Sequence, residues 1–70
     1  MHDKALAYVY AFKEINHPPD RVEWHPATVS LHFGEYEVDV HPTCVLLFRG
    51  TELVGDVSDA AVDDILGVML

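Results

Sequence analysis

Basic residues are scarce in this sequence. Twelve acids face four lysines and arginines, for a formal net charge of −8. That deficit excludes a nucleic-acid-binding surface built from phosphate-neutralising cations, and it repels anionic membranes. Cysteine is scarcer still. Cys44 stands alone, which excludes an intrachain disulfide framework and a Cys-x-x-Cys motif. A single thiol is in keeping with a reducing compartment, so a cytoplasmic protein is expected, in the host cytoplasm if the chain is viral. No apolar run reaches the roughly 20 residues that cross a bilayer. The charged start, Met-His-Asp-Lys, is not expected to act as a signal peptide. With four glycines and no glycine-rich phosphate loop, and with no Ser-based elbow, nucleotide-dependent and serine-nucleophile chemistry have no motif to rest on.

Apolar residues, in contrast, make up half of the 70 positions. A chain of this length is expected to form a single domain, residues 1–70, that buries roughly 60% of its unfolded surface. Part of the apolar complement is therefore expected to stay outside or to meet another chain. The charge is uneven. Residues 1–34 hold four acids and three bases, and residues 35–70 hold eight acids and one base, so the halves carry −1 and −7. The acidic field belongs to the second half.

That half begins inside the most regular pattern in the chain, Thr28 to Val40. A two-residue Gly34-Glu35 turn of type II′ puts Phe33 opposite Tyr36, Leu31 opposite Val38 and Val29 opposite Val40. His32 then faces Glu37, and Ser30 faces Asp39. Every apolar side chain falls on one face, and a one-residue slip destroys the agreement. A second hairpin is expected about Gly50-Thr51, pairing Arg49 with Glu52, Phe48 with Leu53 and Leu47 with Val54, with an Arg49-Gly50 turn as the alternative. One face holds Cys44, Leu46, Phe48, Leu53 and Val57. The other holds Val45, Leu47, Val54, Arg49, Glu52 and Asp56. The unbroken apolar run Cys44–Phe48 predicts a central strand covered on both faces.

Around the hairpins, Asp3 is expected to cap a first helix that presents Ala5, Tyr8, Val9, Phe12 and Ile15 on one face. Leu-Ala-Tyr-Val-Tyr-Ala-Phe is also rich in β-formers, but three alanines and the helical spacing predict helix. His17-Pro18-Pro19 ends it. Arg21–Trp24 reads as a short edge strand stopped by His25-Pro26. Ser58 is expected to cap a last helix, with Asp59 in its first turn and Val62, Ile65, Leu66 and Met69 facing the core. The fold class is α+β: an antiparallel sheet of four to five short strands, made of two successive hairpins and flanked by an N-terminal and a C-terminal helix.

Candidate chemistry is thin. Zinc takes three or four converging ligands. His41-Pro-Thr-Cys44 has ligand-like spacing, and His25, His32 or Asp39 are the candidates to join it. The competing reading makes His-Pro a loop boundary and pairs His32 with Glu37 across the strands. Cys44 as a nucleophile lacks an evident base, and no cofactor is expected. Glu37 and Asp39, two apart on a strand, are expected to point to solvent with nothing apolar to separate their pKa values. Asp63 and Asp64, adjacent on a helix, diverge.

Pro42-Thr43-Cys-Val-Leu-Leu-Phe48, Gly50, Glu52-Leu-Val-Gly55 and the final helix resemble the closing β-β-α segment of thioredoxin. The likeness covers about 30 residues and implies a cis-proline followed by a hairpin and a helix. The chain departs from the family in lacking its Cys-x-x-Cys and its opening βαβ unit, so thiol redox chemistry does not follow. In size, charge and lack of catalytic motifs the chain is similar to the small acidic inhibitors that bacteriophages make, anti-CRISPR and other DNA-mimic proteins among them. The expected function is a non-enzymatic protein that binds a basic, nucleic-acid-handling surface of a partner protein. Glu35, Glu37, Asp39, Asp56, Asp59, Asp63 and Asp64 are expected to make the contact. The alternatives are a homo-oligomeric structural module, a homodimer among the options, using Leu6, Tyr10, Leu47, Val54, Val68, Met69 and Leu70, and a His41/Cys44 metal-binding or thioredoxin-like domain.

Overall fold

The computed structural model describes residues 2–70; Met1, the first residue of the single-domain span, lies outside them. The order of elements is α1 (His2–Glu14), β1 (Arg21–Trp24), β2 (Val29–Phe33), β3 (Tyr36–Val40), β4 (Val45–Arg49), β5 (Glu52–Asp56) and α2 (Val62–Met69). The five strands form one antiparallel sheet in chain order, so every connection joins neighbours. This is the expected α+β architecture, an antiparallel sheet flanked by a helix from each end of the chain. A wholly antiparallel meander has no βαβ crossover, and no peptide bond among the described residues is cis, so the cis-proline that the resemblance to thioredoxin implied before Thr43 is absent as well.

The β2–β3 register is the one that alternation dictates, with Val29 paired to Val40, Leu31 to Val38 and Phe33 to Tyr36. Gly34 has φ 60 and Glu35 is not in the positive-φ region, as a type II′ turn requires. The apolar face of this hairpin is the core. Val29, Leu31, Val38 and Val40 are fully buried, together with Val45 and Leu47 of β4, Ala5 and Phe12 of α1 and, within 1%, Ile65 of α2. Phe12 and Phe33 hold their rings 4.6 Å apart in a tilted pair.

Both helices lie on that one face of the sheet. The run Cys44–Phe48 is therefore not covered on both sides as its composition predicted. Val45 and Leu47 are buried, while Leu46 and Phe48 point to the uncovered face and are half-buried. The hairpin β4–β5 also departs from the simple register. Arg49 pairs with Glu52 and Phe48 with Leu53, but a bulge then sets Leu47 opposite Gly55 rather than Val54, and Leu46 opposite Asp56. The extra residue reverses the facing of everything after Val54. Asp56 joins Leu46, Phe48 and Leu53 on the open face, and Val57 pairs its N–H with Val45 O at 2.8 Å.

Helix ends are set by backbone chemistry that composition hid. Asp3 lies inside the first turn of α1 rather than capping it, where its charge suits the positive end of the helix dipole. The stop comes before the prolines. Asn16, at φ 64, takes the left-handed conformation, Asn16 N–H bonds Lys13 O and His17 N–H bonds Phe12 O, a Schellman closure. Ser58 does not cap α2, whose N-cap is Ala61 with no side-chain bond. Its hydroxyl instead accepts the Val45 N–H at 2.9 Å and donates to Asp56, tying the β5–α2 connection to β4.

Candidate functional site

Strand periodicity puts Arg49 and Glu52 next to Tyr36 on the covered side of the sheet, and the polar side chains of β1, β2 and β3, with Asp56 of β5, on the uncovered face. The pairings arrange them in two rows across the sheet. One row runs Glu23, Ser30, Asp39, Leu46, Asp56, and the other runs Arg21, His32, Glu37, Phe48, Leu53. Carboxylates at the centre are thus bordered by an apolar strip toward β5, where Leu53 is 54% exposed.

His32 is the hub of the polar half. Its Nε2 lies 2.6 Å from Glu23 Oε1 and its Nδ1 lies 3.5 Å from Glu37 Oε1. Arg21 pairs with the same Glu23 oxygen at 2.9 Å, and His25 approaches Glu23 Oε2 at 3.5 Å. With a carboxylate at each ring nitrogen, His32 turns neither toward a nucleophile. The His32–Glu37 pairing follows from the hairpin register. The part of Glu23 and Arg21 does not, because it needs the β1–β2 register. The signal was present: alternation in Arg21-Val22-Glu23-Trp24 puts Arg21 and Glu23 on one side and Val22 on the other.

Glu37 and Asp39 do not stand in open solvent. Both are half-buried, flanked by Phe48 and Leu46. The hydrogen bond with Asp39, then burial, then the charge of Asp39 and of Glu23 push the Glu37 carboxyl up from 4.5 to about 7, against the opposing pull of His32. Asp39 Oδ1 is enclosed and has no hydrogen-bond partner.

The other acids scatter. Glu35 sits in the β2–β3 turn and pairs with Arg49 at 3.1 Å. Asp56 reaches the open face beyond Leu46, and the Ser58 hydroxyl and N–H hold its carboxyl below the ordinary range. Asp59 lies in the β5–α2 connection, near enough to Tyr8 to help burial raise the phenol. Asp63 and Asp64 occupy the first turn of α2, on the opposite layer from the open face. The seven acids expected to act together therefore form no single surface. Only Glu37, Asp39 and Asp56 share the open face.

Of the apolar residues expected at a symmetric interface, Leu47 is fully buried in the core and cannot meet a second chain. Tyr10, Val54, Val68 and Leu70 are exposed, and Leu6 and Met69 are half-buried. His41 N–H bonds Cys44 O at 2.8 Å, a backbone contact that closes the β3–β4 turn. Among the described residues no group of three or more His, Cys, Asp or Glu is arranged to hold a metal ion. No helix of the described residues is long and apolar enough to cross a membrane. In comparisons with known proteins, no family model, no curated protein and no solved structure matches this chain.

Proposed function

We propose that this chain is a non-enzymatic binding protein that docks the open face of its sheet on a basic, nucleic-acid-handling surface of a partner protein and occludes it. One observation carries the reading. Among the described residues a whole face of the sheet lies uncovered, and on it Glu37, Asp39 and Asp56 border half-buried or exposed Leu46, Phe48 and Leu53. Apolar contact area bordered by charge of one sign is the composition of a docking surface: the apolar strip supplies affinity, and the carboxylates select and steer a cationic partner. The net charge of −8 adds long-range attraction for the same class of partner. Engagement of both His32 nitrogens by carboxylates favours binding over general-base catalysis. The cytoplasm, or the host cytoplasm for a viral chain, is the compartment where such a partner is met.

Self-association is the second reading, favoured by Leu53 and Val54 standing exposed on edge strand β5. A two-fold pairing of β5 with its copy about Val54 sets Glu52 against Asp56, and this repulsion counts against it.

The test is capture from a lysate of the source cell on the immobilised chain, at about 0.05 M and about 0.5 M salt. The chain is run beside Leu53→Lys and beside the double variant Asp63→Lys/Asp64→Lys. The expected result is one basic, nucleic-acid-binding protein, released by salt, lost with Leu53→Lys and retained with the α2 variant. Recovery of the chain alone, with sedimentation that varies with concentration, transfers the reading to the self-associating module.

A further inference from the structure

We propose that the folded protein holds one proton between the carboxyl groups of Glu37 and Asp39, so that the open face gains a negative charge, and the sheet loses stability, when that proton leaves. The backbone imposes the pairing. Residues two apart on β3 project to the same side, roughly 6.6–6.8 Å apart along the strand. Neighbours on both sides confine them, with Ser30 and Leu46 flanking Asp39, and His32 and Phe48 flanking Glu37.

Asp39 Oδ1 is enclosed and meets no donor among the described groups. Two carboxylates cannot hydrogen-bond to each other, since each only accepts. A single proton removes the repulsion and makes Glu37 the donor to Asp39. The charged surroundings allow it. β1 brings Arg21 and Glu23, and Arg21 is committed to Glu23 at 2.9 Å. β2 brings His32, which lies closer to Glu23, at 2.6 Å, than to Glu37, at 3.5 Å. β4 brings only Leu46 and Phe48 to this side, and β5 adds the charge of Asp56 beyond Leu46. No cation is therefore dedicated to the pair. The rise of the Glu37 carboxyl to about 7 agrees, with the Asp39 bond as its largest cause. The proton belongs to the pair, so the two groups titrate as coupled sites.

The sign of the linkage follows. Between about pH 4.5 and 7 the folded chain keeps a proton that the unfolded chain has released. The contribution to stability is complete below that window and is lost as pH rises through it.

Carbon-detected NMR of the side-chain carboxyls, from about pH 4 to 9, reads each group separately, and the ring carbons of His32 are followed in the same samples. The expected result is a Glu37 carboxyl step centred near 7. The urea midpoint of the intact chain should fall from about pH 5 to about pH 8. Glu37→Gln supplies a permanent amide donor to Asp39, so it should remove the near-neutral carboxyl step and flatten that fall. Completion of both carboxyl titrations below about pH 5.5 would overturn the proposal. So would a Glu37→Gln variant whose urea midpoint falls with pH as in the parent chain, tracking the His32 ring alone.

Discussion

Replacing Ser58 by alanine should unfold more of this protein than its position in a connecting segment implies. The Ser58 hydroxyl accepts the backbone N–H of Val45 at 2.9 Å, and Val45 is fully buried in the central part of the sheet. Without the hydroxyl, that N–H loses its hydrogen-bond acceptor in a part-buried site. A buried donor left unpaired costs about 1–3 kcal/mol. The Val45–Ser58 bond is part-buried, which keeps the loss in the lower half of that range, about 1–2 kcal/mol. A 70-residue domain has about 3.5–10 kcal/mol to lose. With a urea slope of about 1 kcal/mol/M for a chain of this size, the denaturation midpoint should fall by about 1–2 M. Ser58→Gly separates this role from helix capping. Glycine at an N-cap costs only a few tenths of a kcal/mol relative to serine. As the acceptor for Val45, serine should be no better replaced by glycine than by alanine, while Ser58→Thr retains the hydroxyl and should stay near the parent. Urea denaturation followed by circular dichroism measures all three, and hydrogen exchange at the Val45 amide reports the bond itself. A Ser58→Gly midpoint within about 0.5 M of the parent would refute the assignment and return Ser58 to the helix end.

The glycines give opposite predictions. Gly34→Ala should cost about 1–2 kcal/mol, because the turn holds φ at +60 and a Cβ is strained there although it meets no atom within 4 Å. Its thermal midpoint measures the cost, and a shift below about 2 °C would contradict it. Gly67→Ala in α2 should instead stabilise by about 0.5–1 kcal/mol, since the added Cβ meets nothing within 4 Å and φ is not in the positive region. A lower urea midpoint for that variant would show α2 to be packed differently at Gly67. On the binding face, Leu53→Lys should leave the urea midpoint within about 0.5 M of the parent, since its side chain is 54% exposed. A larger loss would make it unusable as a probe of partner capture.

The candidate face was legible in part. His32 opposite Glu37 and Ser30 opposite Asp39 follow from alternation about one turn, and the structure has both. Glu23 escaped because its place depends on the register of β1, which a connection through His25-Pro26-Ala27-Thr28 does not announce. Simple alternation puts Asp56 on the wrong face, because one extra residue at Val54 reverses everything beyond it; Gly55, inside the strand, is the one sequence mark of that bulge. Sign and sequence proximity group the acids of α2 with those of the sheet. In the fold a layer of core separates them.

Local periodicity alone determined the elements and the first hairpin. A two-residue turn with glycine at its positive-φ position allows only one register that keeps Val29, Leu31, Val38 and Val40 on a common side. The same periodicity cannot tell which side of a sheet a helix will cover. An apolar strand such as Val45–Phe48 serves equally well buried on one face or on both. Packing made that choice: α1 and α2 meet each other over the same face, and Phe12 and Ile65 close that core. The opposite face is left open, with Leu46 and Phe48 beside Glu37 and Asp39. The Glu37 carboxyl, which alternation points at water, is thereby held beside apolar neighbours, and its raised pKa is a property of the tertiary structure.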